Sequence, residues 1–238
     1  LYFCQCGKST EKHCDLHGEK GTHSKMSISV SEHFYPVLKR LRMTAYPDLI
    51  KGVRGTSNKD HFPENLAKGI LRAKHEVYVN KDGTIRFDMS ELPLTHFTPK
   101  EISTDVEKLK ELGYAEDING NTLENADQIV EIMPQDVILP CSTDALDPQA
   151  GIVLTNVANF VDELLVKLYG LNPFYNVNSP KDLVGQLVLG LAPHISAGMV
   201  GRIIGFSHTQ GLLTHPMFHA SLRRDCDGDE ASVSLLMD

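Results

Sequence analysis

The chain has 238 residues, of which 41% are hydrophobic and 23% charged, and its formal net charge is −8 at pH 7. This length is enough for one or two compact domains, and the composition is that of a globular protein. No apolar run approaches the length of a membrane span, and five cysteines do not make an even disulfide framework. The sequence therefore argues against a membrane protein and against a disulfide-stabilised one.

Residues 1–28 contain two short groups of metal-ligand residue types. Structural zinc sites use pairs of thiolate or imidazole ligands on short turns, arranged as a tetrahedron. The ligand set that we predict is Cys4, Cys6, Cys14 and His17. The Cys-x-Cys spacing is tighter than the usual Cys-x-x-Cys, and His13 or His23 could replace a ligand. We predict a zinc-binding module over residues 1–28; the alternative is a terminal segment with free thiols.

Charge is distributed unevenly along the next part of the chain. Between residues 39 and 74, nine lysines and arginines stand against three acids, whereas residues 101–150 hold twelve acids and two lysines. A basic first segment with an acidic middle is typical of a protein that binds phosphates on one face. The alternative is that both runs are solvated surfaces.

Hydrophobic spacing predicts short strands and helices in a mixed α+β chain. Apolar residues around a glycine turn predict a β-hairpin over residues 77–87. Thr104 and Glu107 have the spacing of a capping box, at the start of a helix that Gly113 would end. The remaining predicted elements are strands over residues 128–131, 136–139 and 200–206 and a helix over residues 157–168.

Residues 225–229, which we call the acidic loop, have the sequence Asp-Cys-Asp-Gly-Asp. Only a glycine separates Asp227 from Asp229, so both carboxylates can leave a tight turn and point at one cation. Mg²⁺ prefers oxygen ligands and is usually held by one or two carboxylates plus substrate phosphates. Arg223 and Arg224 precede the loop and suit a polyanionic substrate. The pattern indicates a metal-assisted phosphoryl-transfer site.

Two other interpretations of the acidic loop must be considered. An EF-hand starting at Asp225 would need glycine at position 6 and glutamate at position 12, where this chain has Glu230 and Leu236. A solvated acidic turn stays open, because aspartate and glycine are turn formers. No P-loop, nucleophile elbow or Ser-His-Asp order competes with this site.

Several motifs occur in a fixed order around these residues. They include KGVRG at residues 51–55, DGTIRFD at 82–88, PLTHF at 93–97, GLAPHISAGMVGRIIGF at 190–206 and HPMFHA at 215–220. Together with the acidic loop, this series closely resembles the catalytic region of the large subunit of archaeal family D DNA polymerases. The resemblance covers essentially the whole chain.

The resemblance implies a core of two double-ψ β-barrels, the architecture shared with multisubunit RNA polymerases. On this basis we expect a first barrel over residues 29–145, a helical connector over residues 146–182 and the start of a second barrel over residues 183–238, which carries the acidic loop. Much of the second barrel is expected beyond Asp238. The fragment alone is then not expected to polymerise.

Roles for individual residues follow from the same resemblance. Asp227 and Asp229 match the metal-binding aspartates, which hold two Mg²⁺ ions during nucleotidyl transfer. The residues implied to contact DNA or nucleotide are Lys51, Arg54, Lys59, His194, Arg202, Arg223 and Arg224. The chain departs from the family at Asp225, where asparagine is usual, and at Arg54, where lysine is common.

The implied activity is template-directed DNA synthesis from dNTPs onto a primer 3′-hydroxyl. The implied partners are a primer-template, a small proofreading subunit that supplies 3′–5′ exonuclease activity, and in the full complex a sliding clamp and primase. The expected location is cytoplasmic and nucleoid-associated, away from membranes. Two alternatives stay open: a related two-barrel RNA polymerase, whose Asp-x-Asp-Gly-Asp core the acidic loop matches in part, and a non-catalytic zinc-bearing DNA-binding or scaffold module.

Overall fold

The structure is a computed structural model of the chain. It describes residues 2–3, 9–10, 13–18, 29–52, 64–80, 83–144, 146, 148–193 and 197–237. Within these ranges, no helix combines the length and apolar character needed to cross a lipid bilayer.

The regular structure of the described ranges consists of five α-helices, ten strands, a π-helical turn (Leu165–Tyr169) and a 3₁₀ helix (Pro180–Leu183). The helices are α1 (Val30–Arg40), α2 (Leu66–Lys74), α3 (Val106–Glu111), α4 (Ala150–Leu164) and α5 (Pro216–Ser221). The strands are β1 (Tyr2–Phe3), β2 (Ser9–Thr10), β3 (Phe87–Pro93), β4 (His96–Phe97), β5 (Val130–Glu131), β6 (Asp136–Pro140), β7 (Leu187–Leu191), β8 (Gly198–Ser207), β9 (Leu212–Thr214) and β10 (Glu230–Leu235).

The centre of the fold is a closed barrel of six strands, in the order β10-β3-β9-β6-β8-β7, within the described part of the chain. The β3–β9 and β6–β8 pairs are parallel and the other barrel pairs are antiparallel. The predicted mixed, barrel-based fold is therefore confirmed. Residues 29–145 and 183–238, which were expected to form separate barrels, both contribute strands to this one barrel.

Strand β6 is buried on both of its faces. In β6, Val137 and Leu139 belong to a core cluster shared with α1, α2 and α4, whereas Ile138 faces a second cluster around α3. Side chains alternate between the two faces of a strand, so β6 joins the two cores. This explains why all five of its residues are buried.

Several elements differ from those predicted from the sequence. The helix predicted over residues 157–168 begins earlier, as α4 at Ala150, and continues as a π-helical turn, Leu165–Tyr169. The predicted capping box is wrong, because Asp105 is the N-cap of α3 and the Thr104 hydroxyl instead donates to the Ile204 carbonyl of β8 at 2.8 Å. The predicted hairpin keeps its turn, with Asn80 N donating to Thr84 O, but Phe87 begins a strand that pairs with β9 and β10.

Gly205 of β8 lies against the residues that precede α3. A Cβ atom at this position would be 2.5 Å from the Ile102 carbonyl oxygen and 2.6 Å from Thr104 Oγ1. We expect Gly205→Ala to lower the free energy of unfolding by about 3 kcal/mol, because backbone atoms must move to admit the methyl group. Chemical denaturation measures this loss. Gly52→Ala is the control for steric crowding, because no atom lies within 4 Å of the Cβ position there and its backbone is not left-handed; equal losses in both variants would contradict the argument.

Glu163, at the end of α4, holds α2 against this helix. It accepts hydrogen bonds from Lys74 at 2.6 and 2.7 Å and from Lys167 at 2.5 Å, and its Oε2 lies 2.5 Å from His75 Nε2. Burial would raise the pKa of Glu163, but hydrogen bonds from Lys167, Lys74 and His75 lower it from the ordinary 4.5 to about 2. Folding therefore stabilises the ionised form of Glu163 relative to the protonated form.

This pKa predicts how stability changes in acid. Since the folded pKa lies below the unfolded value, the contribution is complete above pH 4.5 and is lost as the pH falls towards 2. After allowance for solvent screening, it is about 2 kcal/mol at neutral pH. We expect the thermal unfolding midpoint of Glu163→Gln to fall less than that of the wild type when the pH is lowered from 4.5 to 2. Glu111→Gln, at an exposed pair with Lys108, should leave the fall unchanged, and an unaltered pH profile in Glu163→Gln would refute the assignment.

Candidate active site

Helix α5 packs against the barrel and leads directly into the acidic loop. His215 caps the helix by accepting a hydrogen bond from Met217 N at 3.1 Å, and Pro216 fills the first helical position. The Phe218 ring lies against β7, where a Cβ atom at Gly190 would be 2.9 Å from it. The helix is thus fixed to the barrel directly before the loop.

The acidic loop turns sharply between α5 and β10. Arg223, Cys226 and Gly228 have φ values of 61°, 67° and 95°, so three residues within six positions are left-handed. The loop then enters β10, whose Glu230 pairs with Ser90 of β3, and Asp229 O accepts a hydrogen bond from Glu91 N at 2.9 Å. The barrel register therefore places the loop over β3.

Three carboxylates meet at this point. One oxygen each of Glu91, Asp225 and Asp227 lies within 4.8 Å of the others. Glu91 is fully buried in β3, whereas Asp225 and Asp227 are exposed. The arrangement combines a carboxylate below the loop with two at the surface, and oxygen donors of this kind suit a hard divalent cation.

Asp229 has a different partner. Its Oδ2 accepts a hydrogen bond from Arg224 Nη1 at 2.8 Å, and Arg224 Nη2 donates to the Glu230 carbonyl at 2.8 Å. The arginine side chain is 14% exposed and the aspartate 51% exposed. Of the two aspartates predicted to bind metal, Asp227 lies in the group of three carboxylates and Asp229 lies beside it, held by an arginine.

Unpaired buried polar atoms concentrate around the loop. Among the described residues, six buried side-chain nitrogen or oxygen atoms have no hydrogen-bond partner, and five of the six belong to Glu91, Thr214, His219 and Arg224. Buried polar atoms are almost always paired in native proteins. Water, an ion or a ligand at this place would complete the bonding of these atoms.

His219 of α5 lies beneath Glu91. Its Nε2 is 3.1 Å from the Leu92 carbonyl, which can only accept, so Nε2 carries a proton. Its Nδ1 lies 3.2 Å from Glu91 Oε2, and both side chains are fully buried. The two atoms nevertheless make no hydrogen bond of acceptable geometry, so both remain without a hydrogen-bond partner among the described residues.

Negative charge at the loop also affects Cys226. Burial raises the pKa of the Cys226 thiol, and the charges of Glu91, Asp225 and Asp227 raise it further. In the absence of a bound ion, the thiol therefore stays protonated at neutral pH.

The other predicted DNA-contacting residues are dispersed. Lys51 is exposed, and its carbonyl faces Gly69 of α2. Arg223 is exposed beside the loop. Arg202 binds buried Asp136 through two hydrogen bonds of 2.8 and 2.9 Å, which raise the pKa of the guanidinium. Arg54, Lys59, His194, Cys4 and Cys6 lie outside the described residues.

The second pair of predicted zinc ligands is described. Cys14 is buried, and a turn closed by Gly18 N and Cys14 O, 2.7 Å apart, brings His17 back towards it. Cys14 Sγ and His17 Nδ1 are 3.6 Å apart. Both side chains therefore point to a common volume.

Glu91 was not predicted as a site residue, although the burial pattern of its strand could have indicated it. In β3 the buried residues alternate, with Met89 and Glu91 facing inward. A glutamate at an inward position of a strand needs a partner, since acids are rarely buried alone. A short motif reveals only acids that are close together in the sequence, and Glu91 is far from the acidic loop.

Comparison with known proteins identifies the family. Residues 42–238 match the family model described as DNA polymerase II large subunit DP2, catalytic domain. The chain is 50% identical over 241 residues to the DNA polymerase II large subunit of Archaeoglobus fulgidus, covering all of this chain and 20% of the relative. It is 52% identical over 215 residues to that of Pyrococcus furiosus (90% of this chain, 16% of the relative). The Nanoarchaeum equitans protein is 48% identical over 230 residues (92% and 18%).

The chain thus spans about a fifth of the length of these relatives or somewhat less. The matched region includes the barrel, α5 and the acidic loop. The ordered motifs that suggested this family from the sequence are consistent with the match. The chain belongs to the family of DNA polymerase II large subunits and corresponds to their catalytic domain.

Proposed function

We propose that this chain is the catalytic core of an archaeal replicative DNA polymerase, in which it transfers nucleotides from dNTPs to a primer 3′-hydroxyl. The observation that carries the proposal is the acidic loop, which lies within the matched catalytic domain and places carboxylates beside a fully buried third one. Coulombic stabilisation and positioning dominate phosphoryl transfer, so a cluster of oxygen ligands next to arginines is the arrangement such chemistry needs.

Asp227 and Asp229 are proposed as the magnesium-binding aspartates. The unpaired oxygens of Glu91 and the oxygen-only donor set suit Mg²⁺. When bound, two Mg²⁺ ions would activate the primer hydroxyl and stabilise the leaving pyrophosphate. Asp229 would have to exchange the Arg224 guanidinium for an ion, and the released arginine would then be available to neutralise triphosphate charge.

Basic residues are proposed to hold the primer-template and the incoming nucleotide. They are Lys51, Arg54, Lys59, His194, Arg202, Arg223 and Arg224. Arg202 already uses Nε and Nη2 to bind Asp136, so a phosphate contact would use the remaining donors of its guanidinium. Arg223, exposed beside the acidic loop, can bind a polyanion without first breaking such an ion pair.

A structural Zn²⁺ is proposed for Cys4, Cys6, Cys14 and His17. Tetrahedral coordination with Zn–S and Zn–N bonds of about 2.3 and 2.0 Å places a sulfur and a nitrogen ligand about 3.6 Å apart. This matches the distance of 3.6 Å between Cys14 Sγ and His17 Nδ1. The ion would hold the module of residues 1–28 in place ahead of α1.

The assembly is proposed from the family. The barrel would have double-ψ connections and would be followed by a second barrel. The partners would be a small proofreading subunit with 3′–5′ exonuclease activity, a sliding clamp and primase. The assembly would act in the cytoplasm.

Primer extension tests the proposed reaction. The full-length large subunit with its small subunit is given a DNA primer-template and either dNTPs or NTPs, with Mg²⁺ or with EDTA. We expect Mg²⁺-dependent extension with dNTPs and little with NTPs. Preferential NTP incorporation would favour the RNA polymerase alternative, and DNA binding without any synthesis would favour a scaffold module.

A further inference from the structure

We propose that Glu91 is a ligand of a divalent cation, together with Asp225 and Asp227, at a site that forms without Asp229. This deepens the proposed function and rests on it only for the part that the ion plays in synthesis; the binding of the ion is independent of it. The proposal adds a ligand from β3, 134 positions before the acidic loop in the sequence.

Burial of Glu91 is the first argument. The side chain is fully buried, and neither carboxylate oxygen accepts a hydrogen bond from a described residue. A buried, unpaired carboxylate is strongly unfavourable unless a positive charge compensates it. The neighbouring His219 Nδ1 lies 3.2 Å away but makes no hydrogen bond of acceptable geometry. A cation above Glu91 would satisfy the oxygens that the protein leaves unpaired.

Distance is the second argument. Opposite ligands of an octahedral Mg²⁺ ion lie about 4.2 Å apart, given metal–oxygen bonds of about 2.1 Å. The oxygens of Glu91, Asp225 and Asp227 lie within 4.8 Å of one another. Adjacent ligands lie only about 3.0 Å apart, so a contraction of up to about 2 Å would bring all three to an ion. Asp225 and Asp227 lie on a turn at the surface, which can make this small movement, while Glu91 is fixed by its strand.

The ion pair of Asp229 is the third argument. Arg224 holds Asp229 through a 2.8 Å hydrogen bond and is itself anchored to Glu230 O. The arginine is largely out of solvent whereas Asp229 is half exposed, so solvent screens this ion pair in part and the arginine charge offsets that of Asp229 only partly. The first ion is therefore expected at the three carboxylates, and Asp229 becomes a ligand only when a polyanion displaces Arg224.

Mn²⁺ binding to the full-length large subunit, without DNA or nucleotide, tests the proposal. Electron paramagnetic resonance of free Mn²⁺ counts the bound ions and gives their affinities. We expect Glu91→Gln to weaken one Mn²⁺ site at least about 10-fold, and Asp227→Asn to weaken the same site. Glu230→Gln removes an exposed acid next to the loop and is the matched control, which should bind as the wild type does.

Thermal unfolding without metal separates this effect from misfolding. Glu91→Gln keeps the shape of the side chain and removes a buried charge, so its unfolding midpoint should equal or exceed that of the wild type. Mn²⁺ should raise the midpoint of the wild type and of Glu230→Gln, but not that of Glu91→Gln. Equal Mn²⁺ affinity in wild type and Glu91→Gln would overturn the proposal. A lost Mn²⁺ site in Glu91→Gln, with a wild type that synthesises no DNA, would instead keep the metal site and reject the polymerase function.

Discussion

Replacing Asp227 by asparagine is expected to lower primer extension by the full-length large subunit, with its small subunit, by about 1,000-fold or more. Asp227 lies in the group of three carboxylates, and its side chain is exposed. The substitution removes a charged ligand without removing packing, so folding and DNA binding should survive. Single-turnover extension at saturating dNTP measures the rate, and fluorescence anisotropy measures DNA binding.

Glu230→Gln is the control for this experiment, because it removes an exposed acid that lies outside the group of three carboxylates. Its rate should stay within a few-fold of the wild type. We also expect Asp225→Asn to have a milder effect than Asp227→Asn, because asparagine is the usual residue at position 225 in the family that the sequence resembles. Undiminished synthesis by Asp227→Asn would remove the acidic loop from the mechanism.

Replacing Asp136 by alanine is expected to lower the free energy of unfolding by about 3–5 kcal/mol. Asp136 is fully buried at the start of β6 and binds Arg202 of β8 through two hydrogen bonds. It also accepts a 2.5 Å hydrogen bond from the Tyr114 hydroxyl. Alanine would leave the Arg202 guanidinium and the Tyr114 hydroxyl without this partner, at the place where β6, β8 and the residues after α3 meet.

Tyr114→Phe is the graded control for this network. Burial raises the pKa of Tyr114, and its bond to Asp136 raises it further, so the hydroxyl remains a donor at all ordinary pH values. Its removal leaves the Asp136–Arg202 ion pair intact and should lower the free energy of unfolding by about 1–2 kcal/mol. Urea denaturation of both variants gives the ranking, and a Tyr114→Phe loss as large as that of Asp136→Ala would contradict it.

The local spacing of hydrophobic residues predicted some of the strands and helices of this fold. The apolar stripe of α4 and the apolar run of β8 indicated a helix and a strand near their observed positions. The pairing of the strands could not be predicted from the sequence, because β3 and β9, for example, are parallel neighbours that no local turn joins. Thr104 illustrates the same limit, since its hydroxyl binds a carbonyl one hundred positions away and not its own helix.

The candidate site was likewise predictable only where its residues are close in sequence. Asp225 and Asp227 lie two positions apart, and a short motif reveals them. Glu91 joins them through the register of β3 and β10, which depends on the closed barrel. Asp229 looked equivalent to Asp227 in the sequence, and only the side-chain geometry of Arg224 distinguishes the two.

Barrel closure has a consequence for the order of folding. β10 pairs with both β3 and β7, and Ser232 donates a 2.5 Å hydrogen bond to Asp88 across 144 positions of sequence. Contacts between such distant segments form late, because the entropy of closing a long loop opposes them. The same pairing brings Glu91 under the acidic loop, so a nascent or partly folded chain holds its carboxylates apart. Divalent cations would then bind only molecules that have completed the barrel, and they would stabilise that state by mass action.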